Sequence, residues 1–151
     1  MNLEQSILRL EKHINEIPHL LKNMHESELK YQPAGKWSRK QEFGHLIDSA
    51  LNNIHRFVKV QFEEKPYRII SYNQDQWVEA QDYQHHSFEE MLSLWRMLNI
   101  QIVRIWQNIK PEELNYKCIA PEGNEIDLDF LIKDYVDHMD HHFNHIFQPA
   151  D

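Results

Sequence analysis

The chain has 151 residues, 41% of them apolar, and 16 Lys plus Arg against 24 Asp plus Glu give a formal charge of −8. That length and apolar share suit one folded domain with its own core, read here as a single domain over residues 1–151, and exclude a disordered chain. The acidic balance argues against nucleic acid as a partner, three glycines are too few for the strained turns of a dinucleotide-binding or sandwich fold, and no run of about eighteen apolar residues offers a membrane span.

The opening Met1-Asn2-Leu3-Glu4-Gln5 lacks the basic stretch and apolar core of a signal peptide. Cys118 is the only cysteine, so no disulfide forms within the chain and a reducing cytoplasm is the expected setting. The first helix is expected over Leu3 to Met24, where Leu3, Ile7, Leu10, Ile14, Ile17 and Leu21 recur every three or four residues. Pro18 should kink or divide it. The second helix is expected over Ser38 to Glu64, opened by a capping box of Ser38 and Gln41.

Between the second and third helices runs a long crossover, Lys65 to His86, rich in aromatics (Tyr67, Tyr72, Trp77, Tyr83), with a short helix expected around Trp77-Val78-Glu79-Ala80. The third helix is expected over Ser87 to Asn108, again with a capping box, from Ser87 and Glu90. The connection Pro111 to Ile126 holds Pro121-Glu122-Gly123-Asn124, a turn that would close a hairpin. Asp127 caps the fourth helix, which runs to Phe147 ahead of Pro149. The expected fold is therefore all-α, a four-helix bundle with a long aromatic-rich crossover between helices 2 and 3.

Eleven histidines are the compositional anomaly. His13, His19, His25, His85 and His86 lie near helix ends or in loops and read as solvated bystanders, and His55 reads as structural. The last helix differs: Asp137-His138-Met139-Asp140-His141-His142-Phe143-Asn144-His145 contains two pairs at a spacing of four, His138/His142 and His141/His145. Such a pair projects from one helix face and can share a metal ion. On the helical wheel His142 falls within the arc of Leu131, Tyr135, Met139 and Ile146, with His138 at its edge. The inward pair is therefore His138/His142.

A third ligand must come from another helix, and His45 and His55 are the candidates. His45 lies opposite the apolar stripe of helix 2, on a face shared with Asp48, Asn52 and Arg56. Periodicity leaves open whether that face is solvated, which it slightly favours, or lines a cleft.

Three separated motifs resemble the DinB/YfiT-like superfamily. They are Trp37-Ser38-x-x-Gln41-x-x-x-His45-Leu46-x-Asp48-Ser49 with Asn52-Asn53-x-x-Arg56-Phe57, then Tyr72-Asn73-Gln74-Asp75-x-Trp77, then Asp134-Tyr135-Val136-x-His138-x-x-x-His142. The resemblance implies a bundle in which His45, His138 and His142 hold one divalent metal, nickel or zinc foremost, with iron or manganese as alternatives. It makes His141 and His145 neighbours rather than ligands. It also points to thiol chemistry or hydrolysis. The leading expectation is an S-transferase using a low-molecular-weight thiol such as bacillithiol and a small electrophile, with a metal-dependent hydrolase or a non-catalytic binding module as alternatives. Asp48, Asn52, Arg56, Tyr72 and Trp77 are the expected pocket or supporting residues, Asp48 by fixing a ligand's tautomer. A homodimer is a further expectation, and Cys118 is not read as catalytic.

Overall fold

The structure, a computed structural model, describes residues 1–149. Ala150 and Asp151, the end of the expected 1–151 domain, lie outside the described residues. Among the described residues there are six α-helices and three short strands: α1 (Leu3–Lys22), α2 (Glu26–Lys30), α3 (Arg39–Phe62), β1 (Tyr67–Arg68), α4 (Gln74–Gln81), α5 (Phe88–Gln107), β2 (Lys117–Ile119), β3 (Glu125–Asp127) and α6 (Leu128–Ile146). The long helices α1, α3, α5 and α6 are the expected bundle, α3 packing against both α5 and α6 and α1 against the same two. No helix among the described residues is long and apolar enough to cross a membrane.

The helix starts follow the caps. Ser38 and Gln41 form the full expected box at α3, each satisfying a backbone N–H of the other. At α5 only half of the expected box forms: Ser87 accepts from the Glu90 amide, and Glu90 does not reciprocate. Asn2 and Gln5 make a box at α1 that was not anticipated. Of the two outcomes expected at Pro18, a kink or a division, the division does not occur: α1 runs through it. The proline's missing N–H costs one hydrogen bond, but Ile14, Ile17 and Leu21 around it are at most 5% exposed, and that burial holds the helix together.

The connections carry more structure than their composition suggests. The crossover contains β1, then α4 capped by Asn73, then a 3₁₀ turn at Tyr83–His85. The short helix expected at Trp77–Ala80 is thus real but longer. The expected hairpin forms too, with β2 antiparallel to β3. β1 adds to it in parallel, pairing Tyr67 with Cys118 and Arg68 with Ile119. No alternation in so short a segment could have announced that strand.

The core is one cluster centred on Phe43, Phe57, Trp95, Trp106 and Tyr135, with ring centroids 5.4–5.9 Å apart in edge or tilted contacts. Cys118 is fully buried, and burial pushes its thiol up to about 11, so it is inert as a nucleophile near neutral pH.

Candidate metal centre

α3 and α6 run side by side, and their facing turns bring His45, His138 and His142 together. His138 Nε2 lies 3.3 Å from His45 Nε2 and 3.1 Å from His142 Nε2. The four-residue spacing on α6 stacks the latter pair, with ring centroids 4.5 Å apart. His45 reaches them from α3 and is fully buried. The face that periodicity slightly favoured as solvated is therefore enclosed. Trp37 covers His45 from the other side at 5.1 Å between ring centroids.

Burial, reinforced by the neighbouring imidazoles, pushes His45 down to about 3 and His138 down to about 4. Both rings are neutral at neutral pH and hold a lone pair for a cation. The spacing suits a metal. Nitrogens bound at about 2.0–2.1 Å in a tetrahedron lie roughly 3.3–3.4 Å apart, against the 3.1 and 3.3 Å found here. Three imidazoles alone leave a fourth position open, as catalytic rather than structural sites do. Among the described residues this is the only cluster of three or more metal-competent side chains.

The support behind the rings comes from a residue that sequence reasoning missed. Glu42, buried on α3, accepts hydrogen bonds from His142 Nδ1 at 2.9 Å and from His145 Nδ1 at 2.7 Å. A carboxylate only accepts, so both rings carry their proton on Nδ1, and the Nε2 of a neutral His142 faces the centre as an acceptor. Burial alone would raise the Glu42 carboxyl, but the bonds from His142 and His145 outweigh it and hold it below the usual value. The signal was available: Glu42 precedes His45 by three residues and so shares its face. His45 Nδ1, by contrast, has no hydrogen-bond partner among the described residues. His141 is exposed, and its ring lies 5.3 Å from that of His142, outside the cluster.

The five supporting candidates divide. Asp48 is fully buried but hydrogen-bonds none of the three histidines, so it does not fix a ligand's tautomer; Glu42 stands in that place. Its Oδ1 accepts from Tyr83 Oη at 2.7 Å and Gln81 Nε2 at 3.1 Å, tying the crossover to α3, and burial raises its carboxyl despite those bonds. Gly44 makes this possible: a Cβ there would lie 2.1 Å from Tyr83 Cδ2. Asn52 turns back on its own helix, donating to the Asp48 carbonyl. Trp77 packs on Tyr72, with ring centroids 5.6 Å apart, and is not among the residues lining the cavity beside His138.

Arg56 and Tyr72 do line a cavity of about 470 Å³ that opens beside His138. Its other walls come from Ser49 and Asn53 on α3, Asp134 and Tyr135 on α6, and the β2–β3 turn. Arg56 donates to the Ile70 carbonyl at 3.1 Å and sits 5.7 Å from the Tyr72 ring centroid.

Known proteins resemble this chain along most of its length. A protein of Oceanobacillus iheyensis with the provisional name of a metal-dependent hydrolase is 30% identical over 139 residues, which is 88% of this chain and 79% of that one. A Bacillus mycoides protein under the same provisional name is 27% identical, with 95% and 83% covered. Among solved structures, YfiT from Bacillus subtilis, provisionally described as a metal-dependent hydrolase with an unusual four-helix bundle topology, superposes with a TM-score of 0.85 at 25% identity, covering 95% of this chain and 83% of that one. A mycothiol-dependent maleylpyruvate isomerase superposes with a TM-score of 0.77 at 11% identity, covering 99% of this chain and 62% of that one, a likeness of fold alone. The sequence model of the DinB superfamily matches residues 9–146, and the chain belongs to that superfamily.

Proposed function

We propose that this protein is a divalent-metal-dependent enzyme in which His45, His138 and His142 hold one metal ion and the cavity beside His138 receives the substrate. The observation that carries the reading is the convergence of three imidazole Nε2 atoms at 3.1 and 3.3 Å with no fourth protein ligand among the described residues. The names of the sequence relatives support the coarse class. When bound, the ion supplies positive charge that lowers the pKa of a thiol or water, making either a nucleophile near neutral pH.

The leading reading is transfer of a low-molecular-weight thiol to a small electrophile. The S–H proton leaves to solvent, sulfur bonds to the electrophilic carbon, and the displaced group departs with its bonding pair. A thiol ionises near 8.5 unaided, far below water, so it asks less of the protein's own acid–base groups. The cavity wall offers no histidine besides His138 to move protons. Within the site, Glu42 fixes the direction of His142, Trp37 and burial fix His45, and Arg56 aligns an anionic group of the substrate. Hydrolysis is the second reading, and the relatives' names favour it.

Elemental analysis of the purified chain beside His45→Ala and His142→Ala tests the centre. Wild type is expected to hold about one equivalent of nickel or zinc after reconstitution, and both variants to lose it while remaining helical by circular dichroism. Retention of metal in either variant would remove that histidine from the set. Screening the loaded protein with electrophiles, with and without added thiol, then separates transfer from hydrolysis: turnover in the absence of thiol favours the second reading.

A further inference from the structure

The cavity beside His138 contains opposite charges that do not pair with each other. Arg56 and Asp134 both line it, yet no ion pair within 4.0 Å joins them. Arg56 gives one N–H to the Ile70 carbonyl, and its guanidinium carries five donors, so most of the fork remains for a ligand. The Tyr72 ring beside it limits where that fork can point. Asp134 is joined at the cavity wall by a second carboxylate, Glu122, from the β2–β3 turn. Neither acid has a cationic partner among the described ion pairs. Partial burial, then repulsion from Asp137 and Glu122, raises the Asp134 carboxyl, and the attraction of Arg56 offsets only part of this; burial likewise lowers Arg56, with Asp134 among the smaller opposing influences. Each end of the cavity is thus relieved by a charge of the opposite sign arriving from outside. Two ends of opposite sign lining one open cavity, Arg56 half-buried and the two acids exposed, suit one molecule that carries both charges.

We propose that this cavity binds a small zwitterion, its carboxylate on Arg56 and its ammonium group between Asp134 and Glu122. The assignment rests on reading the cavity as the substrate side of the metal centre, and it adds the charge pattern of the molecule that enters.

The test is an NMR titration of the full chain, metal-free and zinc-loaded, with ω-amino acids from β-alanine to 6-aminohexanoate. Each is compared with the carboxylate and the amine of the same carbon count. At one length the amino acid should bind about tenfold or more tighter than either single-charge analogue. Arg56→Gln should remove that advantage and weaken the carboxylate but not the amine. Asp134→Asn should weaken the amine but not the carboxylate. Asp134 is exposed, so this variant still decides if the Arg56 variant fails to fold. Equal binding of all three compounds at every length, or an Asp134→Asn variant that binds each unchanged, would overturn the proposal. Zinc uptake measured on the same samples keeps the two readings apart. Zinc bound without zwitterion preference overturns this proposal alone, and zwitterion preference without zinc overturns the metal centre alone.

Discussion

The two halves of α3 obey different rules. From Glu42 to Ala50 every residue is buried, the charged ones included, whereas from Leu51 to Phe62 only Asn53, Phe57 and Val60 are. The second half is an ordinary amphipathic helix, with Phe57 against Trp106 and Tyr135, Val60 buried beside it, and residues such as His55, Val58, Lys59 and Phe62 facing outward. The first half is enclosed on all sides: Phe43 meets Trp95 of α5, His45 meets α6, and the Tyr83 turn covers Gly44 and Asp48. Burying polar groups is costly unless each finds a partner. Here Glu42 has His142 and His145 and Asp48 Oδ1 has Tyr83 and Gln81, while Asp48 Oδ2 and His45 Nδ1 have no partner among the described residues. The candidate metal ligand His45 lies in the half where the helix abandons the amphipathic pattern, and the second half supplies Asn53 and Arg56 to the cavity wall.

Perturbing the first half should therefore cost far more than perturbing the second. Glu42→Gln keeps the shape but removes the charge and one acceptor, and metal affinity is expected to fall about 10–100-fold in a chelator competition. An unchanged affinity would show that Glu42 only packs. Gly44→Ala should destabilise by about 1–3 kcal/mol, because the new methyl collides with the Tyr83 ring. At an open helix position the same change stabilises, so the sign of the shift in Tm decides.

Acid should act on this half as well. His45 and His138 stay neutral in the fold down to about 3 and 4, while the same side chains in the unfolded chain take protons near 6.5. The unfolded state then binds more protons, and the metal-free protein, at full strength above pH 6.5, should lose stability steadily toward pH 4. Thermal melts at stepped pH should show that loss flattened in His45→Gln; an equal slope in both proteins would count against it. His55→Ala, exposed on the second half, should alter stability by less than about 0.5 kcal/mol and leave metal content unchanged.

The sequence carried the bundle well, because four stripes with caps and stops are local signals. On the last helix the pair His138/His142, read as inward from the wheel, is the one whose rings lie beside His45. The wheel failed at His45 itself. A helix covered on both sides has no single apolar face, so the polar stripe of α3 looked like surface. Glu42 was missed for the same reason, and Tyr83 and Gln81 because a crossover has no period to read. Asn52 was chosen by its place on the wheel, yet Asn53, one residue on, lines the cavity.

The parallel pairing of β1 with β2 has a consequence for how such a protein can change. It joins the crossover to the hairpin, so the outer wall of the cavity is one stapled unit. The hairpin tip closes on itself through Gly123 N to Ala120 O and Ala120 N to Asn124 O, with Gly123 at φ 96°. Those bonds hold the tip's shape without help from the helices. Residues 121–124 can therefore vary in length and chemistry while the staple and the histidines stay put. Such a tip is an exchangeable part, where ligand preference can diverge between relatives without disturbing the chemistry beneath it.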